Sequence, residues 1–150
     1  MKQIKIITVL SILLSFCFFG SLSLADSKGI IKYRQNVMES TAKHMGAIVD
    51  ILKNDLPLQG HIVDHARSIQ QNSKMTLATF PKGTGLGNTK AKPAIWVNWS
   101  KFESAVEDFE RESAKLTKVA ESGDMKALAK QVRATGKTCG GCHRNFRKRD

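Results

Sequence analysis

Cysteine is scarce in this sequence. The 150 residues include three, and only Cys139 and Cys142 lie beyond the first 25. That rules out the disulfide framework that staples many small exported domains. A structural zinc site needs four ligands, and His44, His61 and His65 are too scattered to complete one with the two cysteines. Acidic residues are also few, 13 against 24 Lys and Arg. No internal repeat, low-complexity block or nucleic-acid-binding motif is present, so the basic balance does not indicate a nucleic-acid partner. Gly83, Gly85 and Gly87 resemble a phosphate loop only superficially. No strand precedes them and no Gly-Lys-Ser/Thr follows.

The first 25 residues read as a signal peptide. Lys2 and Lys5 form a positive n-region, Ile6 to Leu24 an apolar stretch, and Ser23-Leu24-Ala25 a cleavage site before Asp26. The alternative is a membrane anchor, because the apolar run could nearly span a bilayer. Cleavage would remove Cys17 and leave residues 26–150, enough for one hydrophobic core and too few for two. Formal net charge is +11, and +9 once Lys2 and Lys5 are gone. In an exported, periplasmic protein that charge points to an acidic redox partner or an anionic membrane surface, or simply to solvated helix faces.

Four stretches carry apolar residues at spacings of three and four, which predicts helices. The first spans about 27–53, with the seam Ile31, Arg34, Met38, Thr41, Met45, Ile48 and Leu52. Arg34 is the intruder on it. A weaker second helix is expected from Pro57, a residue suited to a first turn. Its stripe is Leu58, Ile62, His65 or Ala66, Ile69, Met75 or Thr76, and Phe80. Pro81 to Pro93 reads as a loop. The third helix is expected over 95–122, along Ile95, Trp99, Phe102, Val106, Phe109, Ser113, Leu116 and Ala120. Gly123 is a suitable stop and Asp124 a suitable N-cap for the fourth helix. That helix carries Met125, Leu128, Val132, Thr135, Cys139, Cys142 and Phe146. The pattern predicts an all-α, antiparallel up-down-up-down four-helix bundle. Trp96 and Trp99 cannot both face its axis.

Gly136, Gly140 and Gly141 weaken the fourth helix, so something besides propensity should hold it. Alone, a C-x-x-C pair could be a redox dithiol, a local disulfide or half of a zinc site. Here it reads Cys139-Gly140-Gly141-Cys142-His143, and C-x-x-C-H is the attachment sequence of c-type haem. Residues i and i+3 of a helix share a face, so two thiols there can each meet one vinyl group on one porphyrin edge. His143 then offers an imidazole nitrogen to the iron.

Most such sequences carry the motif near the chain start, whereas here it is seven residues from the end. With Tyr33-Arg34-Gln35-Asn36-Val37-Met38, Phe80-Pro81-Lys82-Gly83-Thr84 and Pro93-Ala94-Ile95-Trp96, this chain resembles the class II cytochromes c, the cytochrome c-prime family and its low-spin relatives. The resemblance implies one covalently attached haem c in a four-helix bundle. It implies that Arg34 meets a haem propionate, a charge-assisted pair that guanidinium geometry suits; the other reading is that Arg34 reaches solvent. Gln35 and Lys92 are further haem-contact candidates. Arg147 either tunes the His143 imidazole or merely belongs to a basic terminus. The histidines at 44, 61 and 65 read as surface or packing residues. Met38 is the candidate second iron ligand. Low-spin members of the family use a methionine there, and in some five-coordinate members one only packs.

Three functions follow as expectations. The first is non-enzymatic single-electron transfer between periplasmic redox proteins. The second is a five-coordinate haem protein that binds NO or CO. The third is a thiol oxidoreductase without haem. A homodimer through the first two helices is a family expectation.

Overall fold

The computed structural model describes residues 24–149. The expected signal peptide, apart from its last two residues, lies outside them, as does Cys17. Helix α1 (Leu24–Lys53) has Asp26 in its first turn and Lys53 in its last, each suited to the helix dipole. It buries Ile31, Arg34, Val37, Thr41, Ile48 and Ile51. Val37 and Ile51 are therefore the deeper residues, and their expected counterparts Met38 and Leu52 are half-buried. A helix of 3.6 residues per turn drifts off a strict seven-residue row over this length.

The second helix starts later than Pro57. The chain turns at Asp55, whose φ is 48°, and then makes tight contacts, with Leu58 N donating to Leu56 O and His61 N to Leu58 O. A single 3₁₀ turn (Gln59–His61) precedes α2 (Ile62–Thr76). Gly60, a poor helix former, sits in the delayed stretch, and Leu58 is exposed rather than part of the stripe. Ile62, Ala66, Ile69, Ser73 and Thr76 make the buried face, which settles both ambiguous positions.

The third predicted helix is two. Short α3 (Ala94–Val97) ends at Asn98, whose φ of −118° and ψ of 50° break the helix before α4 (Trp99–Ser122). Trp99 is consequently exposed and off the seam. Trp96 is half-buried, and its Nε1–H donates to the carbonyls of Phe80 and Pro81. From Phe102 to Ala120 every predicted seam residue is buried. Gly123 takes the left-handed conformation with φ 72°. Asp124 then caps α5 (Met125–Phe146) by accepting from Ala127 N at 2.9 Å.

Each long helix packs on the next, α1 on α2, α2 on α4 and α4 on α5, whereas α1 and α5 scarcely touch. This is the antiparallel four-helix bundle. The segment after α2 folds back and clips onto the C-terminus, with Lys92 N donating to Phe146 O and Lys148 N to Lys90 O. The core has two parts. One gathers Ile48, Ile62, Ile69, Leu116 and Leu128, and the other gathers Phe80, Ile95, Phe102, Val106 and Phe146.

Candidate haem site

The boundary between the two cores is where the sequence motif sits. Cys139 packs against the first and Cys142 against the second. On α1, Met45 packs against the first and Met38 against the second. The two helices that scarcely touch thus face each other with two thiols on one side and two thioethers on the other.

Both cysteines are free and half-buried on one face of α5. Burial raises the Cys139 pKa. Burial, reinforced by Cys139, pushes Cys142 up to about 11. Neutral thiols disfavour a thiol oxidoreductase, whose attacking cysteine needs a depressed pKa. Among the described residues no three His, Cys, Asp or Glu side chains gather into a metal-binding group, so the pair is not half of a zinc cluster there.

His143 is accessible at the surface, in a depression of about 410 Å³ lined also by Gly140, Arg144, Arg147, Lys148 and Arg149. Its pKa is lowered by partial desolvation and by the Arg147 cation, which favours the neutral ring that can offer a lone pair to a metal. Helix α5 stops at Phe146, and Arg147 is extended, with φ −113° and ψ 134°. Its charge acts on His143 from beyond the helix and not from a shared helical face.

Arg34 is 4% exposed, which excludes the solvent-reaching alternative. Nη1 donates to Thr79 O at 3.2 Å and Thr84 Oγ1 at 3.1 Å. Nη2 donates to Thr84 O at 2.9 Å and Thr89 Oγ1 at 2.8 Å. The guanidinium also lies 4.5 Å from the Phe80 ring centroid, a cation–π distance. All four acceptors are uncharged, so the site carries a buried positive charge with no carboxylate bound to it among the described residues. Gln35 Nε2 donates to Asn88 O and Lys92 Nζ to Arg144 O, so both brace the loop that walls the site. The three threonines that hold Arg34 were not distinguished by any sequence signal. Their common feature is position in the segment after α2, with Thr79 in its opening 3₁₀ turn.

The donor set fits a c-type haem. Two thiols lie one turn apart, an imidazole follows directly, the core parts at their level, and a buried cation has only neutral acceptors among the described residues.

The comparisons agree. The family model described as Cytochrome C' matches residues 29–147. Cytochrome c' of Rhodospirillum rubrum is 33% identical over 98% of this chain and 99% of its own length. Cytochrome c-556 of Agrobacterium tumefaciens is 32% identical over 79% of this chain and 97% of its own. A nitric oxide complex of a variant cytochrome c prime from Alcaligenes xylosoxidans superposes with TM-score 0.78 at 27% identity, covering 85% of this chain and all of that one. Another variant of that protein was solved with carbon monoxide bound. The chain belongs to the cytochrome c' family and carries covalently attached haem c with its iron.

Proposed function

We propose that this protein is a periplasmic one-electron carrier rather than an enzyme, exported by its first 25 residues, with its haem joined to Cys139 and Cys142 and its iron held by His143 and Met38. The observation that carries this reading is the placement of Met38, half-buried on α1 in the same cluster as Cys142. When bound, the haem supplies a one-electron couple, and a Met/His ligand pair raises its potential and suits electron transfer. His143 contributes a neutral nitrogen. Arg34 contributes the buried cation that a propionate would neutralise, while Gln35 and Lys92 hold the loop against α5. As a ligand, half-buried Met38 would take the iron position that water would otherwise fill.

Replacing Met38 with Ala tests the ligand. Low-spin iron should become high-spin, the potential should fall, and carbon monoxide should bind where it did not before, all read from absorption spectra and a redox titration. Unchanged spectra would remove Met38 from the ligand set.

A second reading is favoured by the nitric oxide and carbon monoxide complexes of the Alcaligenes xylosoxidans relative. In it Met38 only packs, and the open iron position takes a gas.

The basic residues around His143 suit an acidic redox partner. Raising ionic strength from 0.01 to 0.15 M shortens the Debye length from about 30 to about 8 Å. Electron-transfer rates with such a partner should fall steeply across that range, as stopped-flow measurement would report. A flat response would make the basic surface a solvated face only.

A further inference from the structure

The end of the bundle where α2 stops and α4 starts is poor in negative charge. No Asp or Glu occurs from His65 to Phe102, a stretch that carries Arg67, Lys74, Lys82, Lys90, Lys92 and Lys101. Lys82, Lys90 and Lys92 lie between α2 and α3, and Lys101 lies in the first turn of α4. The α5 terminus clipped to this segment adds Arg147-Lys148-Arg149 at the same end.

Apolar side chains stand out of this basic end. Leu86 is 82% exposed and Val97 79%, and Trp99, two residues further on, is exposed as well. Their display is fixed by packing beneath them. A Cβ on Gly85 would lie 2.7 Å from the Trp96 ring, so the chain beside Leu86 rests directly on the residue beside Val97. Thr84 is fully buried and bonded to Arg34. Gly87, at φ 87°, supplies the left-handed turn that sends the chain back. Leu86 therefore sits on a braced tip.

The kind of side chain and its setting identify the occupant. Leu86 and Val97 project singly, from a loop tip and from the end of a one-turn helix. A protein partner must supply a packed hollow for each such knob, whereas a bilayer accepts them without a shaped counterpart. Indole favours the membrane–water interface, and lysines near an anionic leaflet are attracted to its headgroups. We propose that this end of the protein docks on an anionic phospholipid surface, with Leu86, Val97 and Trp99 entering the headgroup layer and Lys82 and Lys101 meeting lipid phosphates. The attachment is peripheral, since no described helix is long and apolar enough to cross a membrane. The patch uses none of the residues assigned to the haem.

The test mixes holoprotein beginning at Asp26, without the apolar run of residues 6–24, with vesicles. One set contains phosphatidylglycerol and phosphatidylethanolamine, the other phosphatidylcholine alone. After sedimentation, haem absorbance in the supernatant gives the unbound fraction. Ionic strength is about 0.1 M, where the Debye length is about 10 Å. The parent protein should bind the anionic vesicles only, a comparison that needs no variant. Leu86→Ser/Val97→Ser should weaken binding at least about tenfold, as removal of buried apolar surface implies. Lys82→Gln/Lys101→Gln should weaken it about 25-fold, on the order of fivefold per charge near the surface. Lys126→Gln/Lys130→Gln removes the same charge from the opposite end of α5, a 22-residue helix about 33 Å long. That pair should change affinity less than about twofold, and every variant should keep the parent haem spectrum. No binding to anionic vesicles, or equal loss in the Lys126/Lys130 pair, would overturn the proposal. So would unaltered binding of Leu86→Ser/Val97→Ser. A concentration-dependent dimer that this variant abolishes, without vesicle binding by the parent, would overturn it as well and assign the patch to a second copy.

Discussion

Cys139→Ala/Cys142→Ala protein should retain no haem through denaturation. The two thiols are the only cysteines among the described residues, so the double variant has no thioether left to form there. Each single variant keeps at most one attachment and should show a sharply reduced haem stain on a denaturing gel. Folding should suffer as well. The thiols sit at the boundary of two core clusters, where α1 and α5 scarcely touch. A void of even 100 Å³ at that boundary costs about 2 kcal/mol, a sizeable part of the roughly 5–15 kcal/mol that holds a domain together. The variant should therefore lose helical circular dichroism at a lower temperature than the holoprotein. A normal yield of denaturation-resistant haem from the double variant would place attachment elsewhere.

Arg34→Ala should be nearly as damaging, for a different reason. The side chain supplies four hydrogen bonds to Thr79, Thr84 and Thr89, and Thr79 and Thr84 are themselves buried. Removing it strands the two carbonyls without donors. A buried acceptor left unpaired costs about 1–3 kcal/mol, so the total should be roughly 3–5 kcal/mol once the lost side-chain volume is included. Arg34→Lys should recover only part, because an ammonium cannot reproduce the planar fork. Denaturant titration of the holoproteins measures both. A cost under about 1 kcal/mol, the range of ordinary surface changes, would mean that the loop holds itself without Arg34.

The parts legible in the sequence are those set by one helix at a time. The α4 seam from Phe102 to Ala120, the Gly123 stop and the Asp124 cap follow from periodicity and local backbone chemistry, and the structure has them as read. Arg34 stood out because a charge on an apolar seam demands an explanation. Departures arise where two segments decide together. The start of α2 is delayed by turns after Asp55 that no apolar spacing records. The break at Asn98 lets Trp96 reach the carbonyls of Phe80 and Pro81, a tertiary demand. Ser113 looked like a small seam residue, yet it pairs with Ser73 at 2.9 Å across α2 and α4. His44 Nδ1 and His65 Nδ1 meet at 2.9 Å, a contact that depends on the register between α1 and α2, which neither helix specifies alone. The threonines around Arg34 are ordinary loop residues until the chain folds back over α1.

The reading of this protein as an electron carrier rests on Met38 occupying the iron. The most direct measurement is the absorption spectrum of the purified, reduced holoprotein before and after exposure to carbon monoxide. Methionine ligation predicts a low-spin spectrum that carbon monoxide leaves unchanged. A high-spin ferrous spectrum that shifts on carbon monoxide binding would contradict it and assign the open position to a gas ligand.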